Sequence, residues 1–180
     1  QQLGFVAGEK RKETVYKENN VKIKLDVEKV YFSPRLCSER KRICEKVKKD
    51  EIILVMFSGS GIYPIVISKN TSAKKIIGIE KNPIAHKFAI ENLALNKIKN
   101  VEFYCGDVRE TIPKLNLKFD RILMPLPKGA EDFLGVAFSA AKKGTIIHLY
   151  DFEREDEVKK GEDKVKVACN KNKLKYKIIE

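Results

Sequence analysis

The segment Glu51-Ile-Ile-Leu-Val-Met-Phe-Ser-Gly-Ser-Gly61 restricts the fold more than any other part of the chain. Ile52 to Phe57 are uninterruptedly apolar, the pattern of a strand covered on both faces in the middle of a parallel sheet. Ser58-Gly59-Ser60-Gly61 then forms a turn whose glycines let backbone come close to a ligand. Nineteen residues beyond Gly61, the run Lys75-Ile-Ile-Gly-Ile79 ends in the carboxylate of Glu80. Strand, glycine turn, helix, strand and terminal acid make one half of a nucleotide-binding α/β sheet, with the acid placed to accept hydrogen bonds from ribose hydroxyls.

A dinucleotide site requires G-x-G-x-x-G, whose third glycine allows close helix–strand packing. Here Gly59-Ser60-Gly61-Ile62-Tyr63-Pro64 has proline at that place. Proline is tolerated in a first helical turn, where its missing N–H is not needed. A ligand without a pyrophosphate suits such a turn better, and S-adenosylmethionine is expected. The plainest alternative is a glycine turn that serves packing alone.

A chain of 180 residues is expected to form one domain with a full core. No apolar run approaches the ~20 residues of a membrane span, and the polar, glycine-broken start does not read as a signal peptide. Cys37, Cys44, Cys105 and Cys169 are scattered, and His86 and His148 lack metal-ligand spacing. Neither a disulfide framework nor a metal site is expected, and the thiols read as reduced in a cytoplasmic protein. Cys105, inside a strand, reads as a small buried hydrophobe. The net charge of +12 is carried almost wholly by the first 150 residues. Such a surplus suits a polyanionic partner, and equally a lysine-rich surface of the kind thermophiles use.

Residues 1–12 read as a linker, 13–50 as a β-hairpin plus helix, and 51–180 as the ligand-binding domain. Glu13–Tyr16 and Val21–Val27 flank the turn residues Glu18-Asn19-Asn20, so Val21, Ile23, Leu25 and Val27 are expected on a buried face. Ser38 is expected to cap a helix running to about Val47, with Glu39 in its first turn and a basic face of Arg40, Lys41, Arg42, Lys46, Lys48 and Lys49. Strands are then predicted at Ile52–Met56, Lys75–Ile79, Val101–Cys105, Phe119–Met124 and Gly144–Tyr150. Helices are predicted at Tyr63–Lys69, Pro83–Asn96 and Ala130–Ala141, with a short turn near Thr111–Leu115. The tail from Glu153 to Lys171 reads as a charged helix, and Lys173–Ile179 as one further strand. The alternation implies an α/β, Rossmann-like, mostly parallel sheet with helices on both faces, preceded by a β-hairpin extension. Methyltransferases of this fold add a two-stranded hairpin after the fifth strand, so the domain is expected to lack its last strand.

In such sheets ligands bind at the carboxyl ends of the strands. Those ends hold Phe57, Ser58, Gly59, Ser60 and Gly61; Glu80, Lys81 and Asn82; Gly106, Asp107 and Val108; Pro125, Leu126, Pro127 and Lys128; and Tyr150, Asp151 and Phe152. Asp107 is placed to accept from an adenine amino group. Singly, Glu80 could cap the next helix and Asp107 could begin a turn. Their joint occurrence at consecutive strand ends favours a ligand site. Met124-Pro-Leu-Pro127 lacks the polar side chain that grips an exocyclic amino group, and no cysteine stands there to attack a pyrimidine ring.

Over residues 3–152 the chain resembles the catalytic domain of archaeal and eukaryotic tRNA (guanine-37 N1)-methyltransferases. The resemblance is carried by Asp26-Val-Glu-Lys-Val-Tyr-Phe-Ser-Pro-Arg35, Met56-Phe-Ser-Gly-Ser-Gly61, Met124-Pro-Leu-Pro-Lys-Gly-Ala130 and Ile146-Ile-His-Leu-Tyr150. It implies S-adenosylmethionine as cofactor and tRNA as partner; a monomer without a metal is expected. It implies Glu39 as general base for the guanine N1 proton, with Arg35 near cofactor and base, Tyr31 lining the site and Pro125 at the acceptor. Cofactor contacts are implied at Tyr31, Phe57, Gly59, Gly61, Glu80, Lys81, Asp107, Val108 and Pro125. Arg40, Lys41, Arg42 and Lys128 are candidates for RNA phosphates, or form an ordinary solvated face. A family arginine near the guanine O6, like the family's tRNA-reading domain, is expected before Gln1.

Two departures stand out. Val55 replaces a family acid that touches the cofactor, and Pro125-Leu126-Pro127 replaces Asn-Leu-Pro, as in an archaeal subgroup resembling wyosine-pathway enzymes. The reading is therefore N1 methylation of guanosine 37, or methylation of a tricyclic wyosine precursor there. Transfer of the cofactor's aminocarboxypropyl group and a non-catalytic tRNA-binding module are the alternatives.

Overall fold

The computed structural model describes residues 7–126, 128–151 and 158–179. Pro127, Phe152 and the first half of the expected linker lie outside the described residues. Two strands come first, β1 (Glu13–Glu18) and β2 (Val21–Asp26), paired antiparallel with Glu18 opposite Val21. Asn19 and Asn20 both adopt positive φ, 40° and 65°, the two left-handed positions a tight hairpin needs and asparagine tolerates.

Helix α1 (Cys37–Lys46) follows, then β3 (Ile52–Met56), α2 (Ile62–Asn70), β4 (Lys75–Glu80), α3 (Pro83–Asn96), β5 (Val101–Cys105), α4 (Val108–Leu115), β6 (Phe119–Met124), α5 (Leu134–Ala140), β7 (Ala141–Leu149) and α6 (Val158–Lys171). The five later strands form one parallel sheet in the order β5-β4-β3-β6-β7. The chain runs outward from β3 through β4 to β5, then returns to lay β6 and β7 on the other side. The order reverses between β3 and β6, which is where an open α/β sheet has its ligand crevice.

Side chains of the sheet alternate between two apolar layers. Ile53, Val55, Ile76 and Leu123 pack under β2, α1, α2 and α3, while Leu54, Met56, Ile77, Ile79, Ile122 and Met124 pack under α4 and α5. The hairpin shares the first layer through Val21, Ile23 and Leu25. Its edge is closed by two amides one turn apart on α3. Asn96 accepts from the Lys22 N–H and donates to the Lys22 carbonyl, and Asn92 does the same to Lys24, at 2.7–2.9 Å. These side chains imitate a neighbouring strand and leave no open edge there to pair with another molecule.

Several expectations are corrected. Val27 is 43% exposed, because β2 ends at Asp26, whose carboxylate accepts from the Glu28 and Lys29 N–H groups and turns the chain outward. Ser38 does not cap α1: a single 3-10 turn, Pro34–Leu36, starts the helical path earlier and leaves Ser38 inside the helix. The turn near Thr111–Leu115 is the end of a longer helix, begun at Val108 by the Asp107 carboxylate accepting from the Arg109 N–H. The helix expected over Ala130–Ala141 is a 3-10 turn, Ala130–Phe133, followed by α5. β7 starts at Ala141, three residues early, and bends at Gly144, where φ is +88°. Cys105 is exposed because β5 is the sheet's edge. Residues 174–179 form neither strand nor helix, and Leu174, Tyr176, Ile178 and Ile179 are exposed.

Candidate active site

The loop after β3 is built by backbone bonds at the strand ends. The Ser58 N–H donates to the Ile79 carbonyl, the Gly61 N–H to Ser58 and the Gly106 N–H to Glu80, each at 2.9 Å. Phe57, Gly59 and Gly61 take positive φ of 57°, 56° and 84°. For Phe57 that conformation costs energy, of the kind that persists where packing over-determines it; its ring lies edge-on to Phe133 at 4.9 Å. A Cβ on Gly61 would come within 2.6 Å of the Phe103 ring, and one on Gly78 would collide with the same ring. Phe103 thus brings the start of α2 down onto β4, and Pro64 sits in that first turn as the sequence implied.

Glu80 ends β4 with both carboxylate oxygens directed into the loop. Oε2 accepts from the Gly59 N–H and Oε1 from the Asn82 N–H, each at 2.7 Å. Asp107 stands one strand over. It accepts from the Arg109 N–H and meets the Lys81 ammonium at 3.1 Å, and these two donors hold its carboxyl below the usual range. Val108 is buried in the second apolar layer, and the Arg109 guanidinium covers Phe133 at 4.0 Å. Val55 lies wholly inside the first apolar layer. Ser58 and Ser60 are buried with hydroxyl oxygens that have no partner.

The other components reach the same rim from α1 and the segment before it. The Asn82 side chain donates to the Lys29 carbonyl at 3.0 Å, and the Tyr31 carbonyl lies 3.9 Å from where a Gly59 Cβ would be. Tyr31 is 72% exposed and Arg35 is exposed. Pro125 is half-buried just past β6, where the Leu126 N–H turns back to the Met124 carbonyl at 2.8 Å.

Glu39 is half-buried and fully engaged. Arg42 grips it with Nε on Oε2 at 2.6 Å and Nη2 on Oε1 at 2.8 Å, and the Tyr150 hydroxyl donates to Oε1 at 2.7 Å. Burial on its own would raise the carboxyl pKa, but the bonds from Arg42 and Tyr150 outweigh it and hold the pKa lower than ordinary. Glu39 is therefore ionised at neutral pH. Tyr150 in turn receives a bond from Tyr63 at 3.3 Å, and Tyr63 lies in the first turn of α2, two residues after Gly61. Sequence reasoning missed Tyr63, and it placed Tyr150 at the carboxyl end of the last strand without giving it a role. The signal available was parity: Ile146, His148 and Tyr150 alternate on one face of the last strand.

The basic face is also corrected. Arg40 is 1% exposed, and its Nε and Nη2 each bond Glu18 at 2.5 Å, so it cannot meet a phosphate. Arg42 is committed to Glu39. Lys41 and Lys128 are exposed.

A second buried charge system lies beside Glu39. Arg121 binds Glu51 through Nε at 2.8 Å and Nη2 at 3.0 Å, the Lys46 carbonyl at 2.6 Å, and His148 Nε2 at 2.7 Å. Burial, followed by the charge of Arg121, lowers the His148 pKa to about 4. An unfolded histidine titrates near 6.5, so the native state stays neutral where the unfolded chain takes up a proton. Stability is then full above about pH 6.5 and falls as pH drops toward about 4. The loss between pH 7 and pH 5 should be about 2 kcal/mol. Urea unfolding at a series of pH values checks this, and His148→Asn should flatten the dependence in that window.

Among the described residues no cluster of His, Cys, Asp and Glu could hold a metal, and no helix is long and apolar enough to cross a membrane.

Residues 14–179 match the model of the TRM5/TYW2 methyltransferase domain. The chain is 44% identical over 171 residues to the tRNA 4-demethylwyosine(37)-methyltransferase Taw21 of Saccharolobus solfataricus, covering 95% of this chain and 64% of that protein. It is 42% identical over 151 residues to the tRNA (guanine(37)-N(1))-methyltransferase Trm5b of Pyrococcus abyssi, covering 84% of this chain and 44% of that protein. The chain therefore spans about half to two thirds of the length of these relatives. Its fold superposes on the crystal structure of the Pyrococcus abyssi Trm5b with a TM-score of 0.89 at 38% identity, over 97% of this chain and 51% of that one. The M. jannaschii TYW2 in complex with AdoMet superposes with a TM-score of 0.84 at 31% identity, over 93% of this chain and 76% of that one.

Proposed function

The chain belongs to the TRM5/TYW2 methyltransferase domain family, and we propose that it is the catalytic domain of an S-adenosylmethionine-dependent tRNA methyltransferase. Its acceptor is N1 of guanosine 37, beside the anticodon, or a wyosine precursor at that position. The observation that carries this reading is the connection between two machineries. Glu39 is joined through Tyr150 to Tyr63, two residues beyond the glycine loop in which Glu80 is bonded to Gly59. A proton acceptor and a nucleoside acceptor thus share one rim of the sheet.

The residues suit this cofactor. Glu80 is a half-buried carboxylate at a strand end, able to accept from two ribose hydroxyls, and Asp107 can accept from the adenine amino group. Gly61 begins α2 with no side chain capping it, so first-turn N–H groups can face a carboxylate. When bound, the cofactor supplies a methyl group on a sulfonium sulfur, open to in-line displacement. The protein's part is mainly positioning. Tyr31 and Pro125 line the base, Arg35 neighbours cofactor and base, and Glu39 takes the N1 proton as N1 gains its methyl group. Lys41 and Lys128 contact phosphates. The wyosine precursor is kept as acceptor because the Taw21 relative, named for 4-demethylwyosine, shares 44% identity.

Calorimetry with S-adenosylmethionine on the full-length protein tests the cofactor. Binding is expected, and Glu80→Ala should weaken it roughly 10- to 100-fold, the worth of one or two hydrogen bonds to a charged acceptor. No heat of binding from a folded protein would sink the enzyme reading and favour a tRNA-binding module. Mass analysis of unmodified and precursor-bearing tRNA after reaction identifies the acceptor, and separates a methyl from an aminocarboxypropyl product.

A further inference from the structure

We infer that Tyr150 is a positioning residue for Glu39: its hydroxyl, oriented by Tyr63, fixes the Glu39 carboxylate against the sheet. This rests on the reading of Glu39 as the base.

The need for such a residue follows from where Glu39's partners come from. Arg42 is three residues along the same helix, so it moves with Glu39 and cannot set the carboxylate's place relative to the glycine loop. Tyr150 comes from the end of the sheet, 111 residues away in sequence, and bonds Oε1 at 2.7 Å. Its own oxygen accepts from Tyr63 at 3.3 Å, and the two rings meet edge-on with centroids 6.0 Å apart. The Arg40 guanidinium lies over the Tyr63 ring at 5.6 Å, anchored by Glu18. The chain of contacts runs from the buried Glu18–Arg40 pair through Tyr63 and Tyr150 to Glu39. One end of α2 therefore sets both the glycine loop and the base.

The same geometry assigns the accepting atom. Among the described residues, Oε1 already takes two donors, Tyr150 and Arg42 Nη2, whereas Oε2 takes one, Arg42 Nε. A carboxylate oxygen has two lone pairs, so the open one on Oε2 receives the N1 proton, and Glu39 becomes a neutral acid still held by its donors. Tyr150 stays protonated throughout, because burial and then its Tyr63 and Glu39 neighbours push its pKa far up. Among the described residues, the charged and titratable groups facing Glu39 are Arg42 from α1, His148 from β7, Tyr150 just past β7, and Tyr63 behind Tyr150.

The test uses Tyr150→Phe and Tyr63→Phe in the full-length protein, with two readouts. The first is the Glu39 carboxyl titration followed by carbon NMR in the absence of tRNA. The second is the pH profile of single-turnover methylation. Loss of the Tyr150 donor should raise the Glu39 pKa and carry the acid limb of the rate up with it. At neutral pH, where Glu39 is ionised in both proteins, the rate should fall about tenfold from lost placement alone. Tyr63→Phe, which keeps the direct bond, should move both readouts in the same direction by less. An unmoved carboxyl titration in a folded Tyr150→Phe overturns the proposal, and so does a wild-type rate at neutral pH with an unmoved acid limb. Full turnover by Glu39→Gln is a different failure. It removes the base reading and, with it, any catalytic meaning of the hydrogen bond.

Discussion

Glu39→Gln is expected to lower single-turnover methylation by roughly 10²- to 10⁴-fold, the usual contribution of a general base, with S-adenosylmethionine binding unchanged. The substitution keeps the volume of the side chain and an oxygen that Tyr150 can still bond, but it removes the atom proposed to take the proton. The amide nitrogen would face the Arg42 guanidinium, donor against donor, so a modest loss of stability should accompany it. The groups proposed to hold the cofactor, Glu80 and the Gly59 N–H, are on other elements and keep their 2.7 Å bond. The distinguishing result is the split: rate lost, affinity kept. Equal loss of both would mean that Glu39 supports the loop, and turnover at the wild-type rate would refute the base.

Arg40→Ala is expected to destabilise the protein by about 3–5 kcal/mol, the cost of leaving a buried charge without its partner. Both side chains of the Arg40–Glu18 pair are at most 2% exposed, so water cannot replace the guanidinium beside Glu18. Arg40 also bonds the Ser33 carbonyl at 3.2 Å and lies over the Phe32 and Tyr63 rings. Its removal therefore loosens the hairpin, the segment leading into α1, and the start of α2 together. Replacing both partners, with Arg40→Met and Glu18→Leu, should recover much of the loss because no unpaired charge remains. Urea unfolding measures the two. Lys41→Ala should do the opposite: stability unchanged, and the slope of tRNA affinity against salt reduced by about one phosphate contact. Wild-type stability in Arg40→Ala with weakened tRNA binding would return Arg40 to the RNA surface.

These two cases mark how far residues could be read without coordinates. The β3 strand, its glycine loop and the acid that ends β4 were legible because each depends on neighbours within the same segment. An apolar run, two glycines and a strand-end carboxylate carry their own explanation. Pro64 was equally readable, since a first helical turn has no use for its missing N–H. The hairpin turn at Asn19-Asn20 was fixed by two residues that tolerate positive φ.

Arg40 was misread for the converse reason. On a helix of basic residues, sequence shows which side chains share a face but not what lies opposite, and Glu18 is on a different element. Cys105 was misread because burial depends on whether a strand is central or at the edge, and strand order is a property of the whole sheet. Val27 failed at a boundary, where the Asp26 side chain competed with the strand for two backbone N–H groups.

The chain's own order of residues was thus sufficient for the parallel α/β sheet, the glycine loop and the acids at the strand ends, since these follow from local periodicity and local backbone chemistry. The pairing of Glu39 with Tyr150, the burial of Arg40 on Glu18, and the meeting of Arg121 with His148 were settled only by packing. Each joins side chains far apart in sequence, and a hydrogen bond or buried charge pair exists only where the folded chain excludes water from both partners at once.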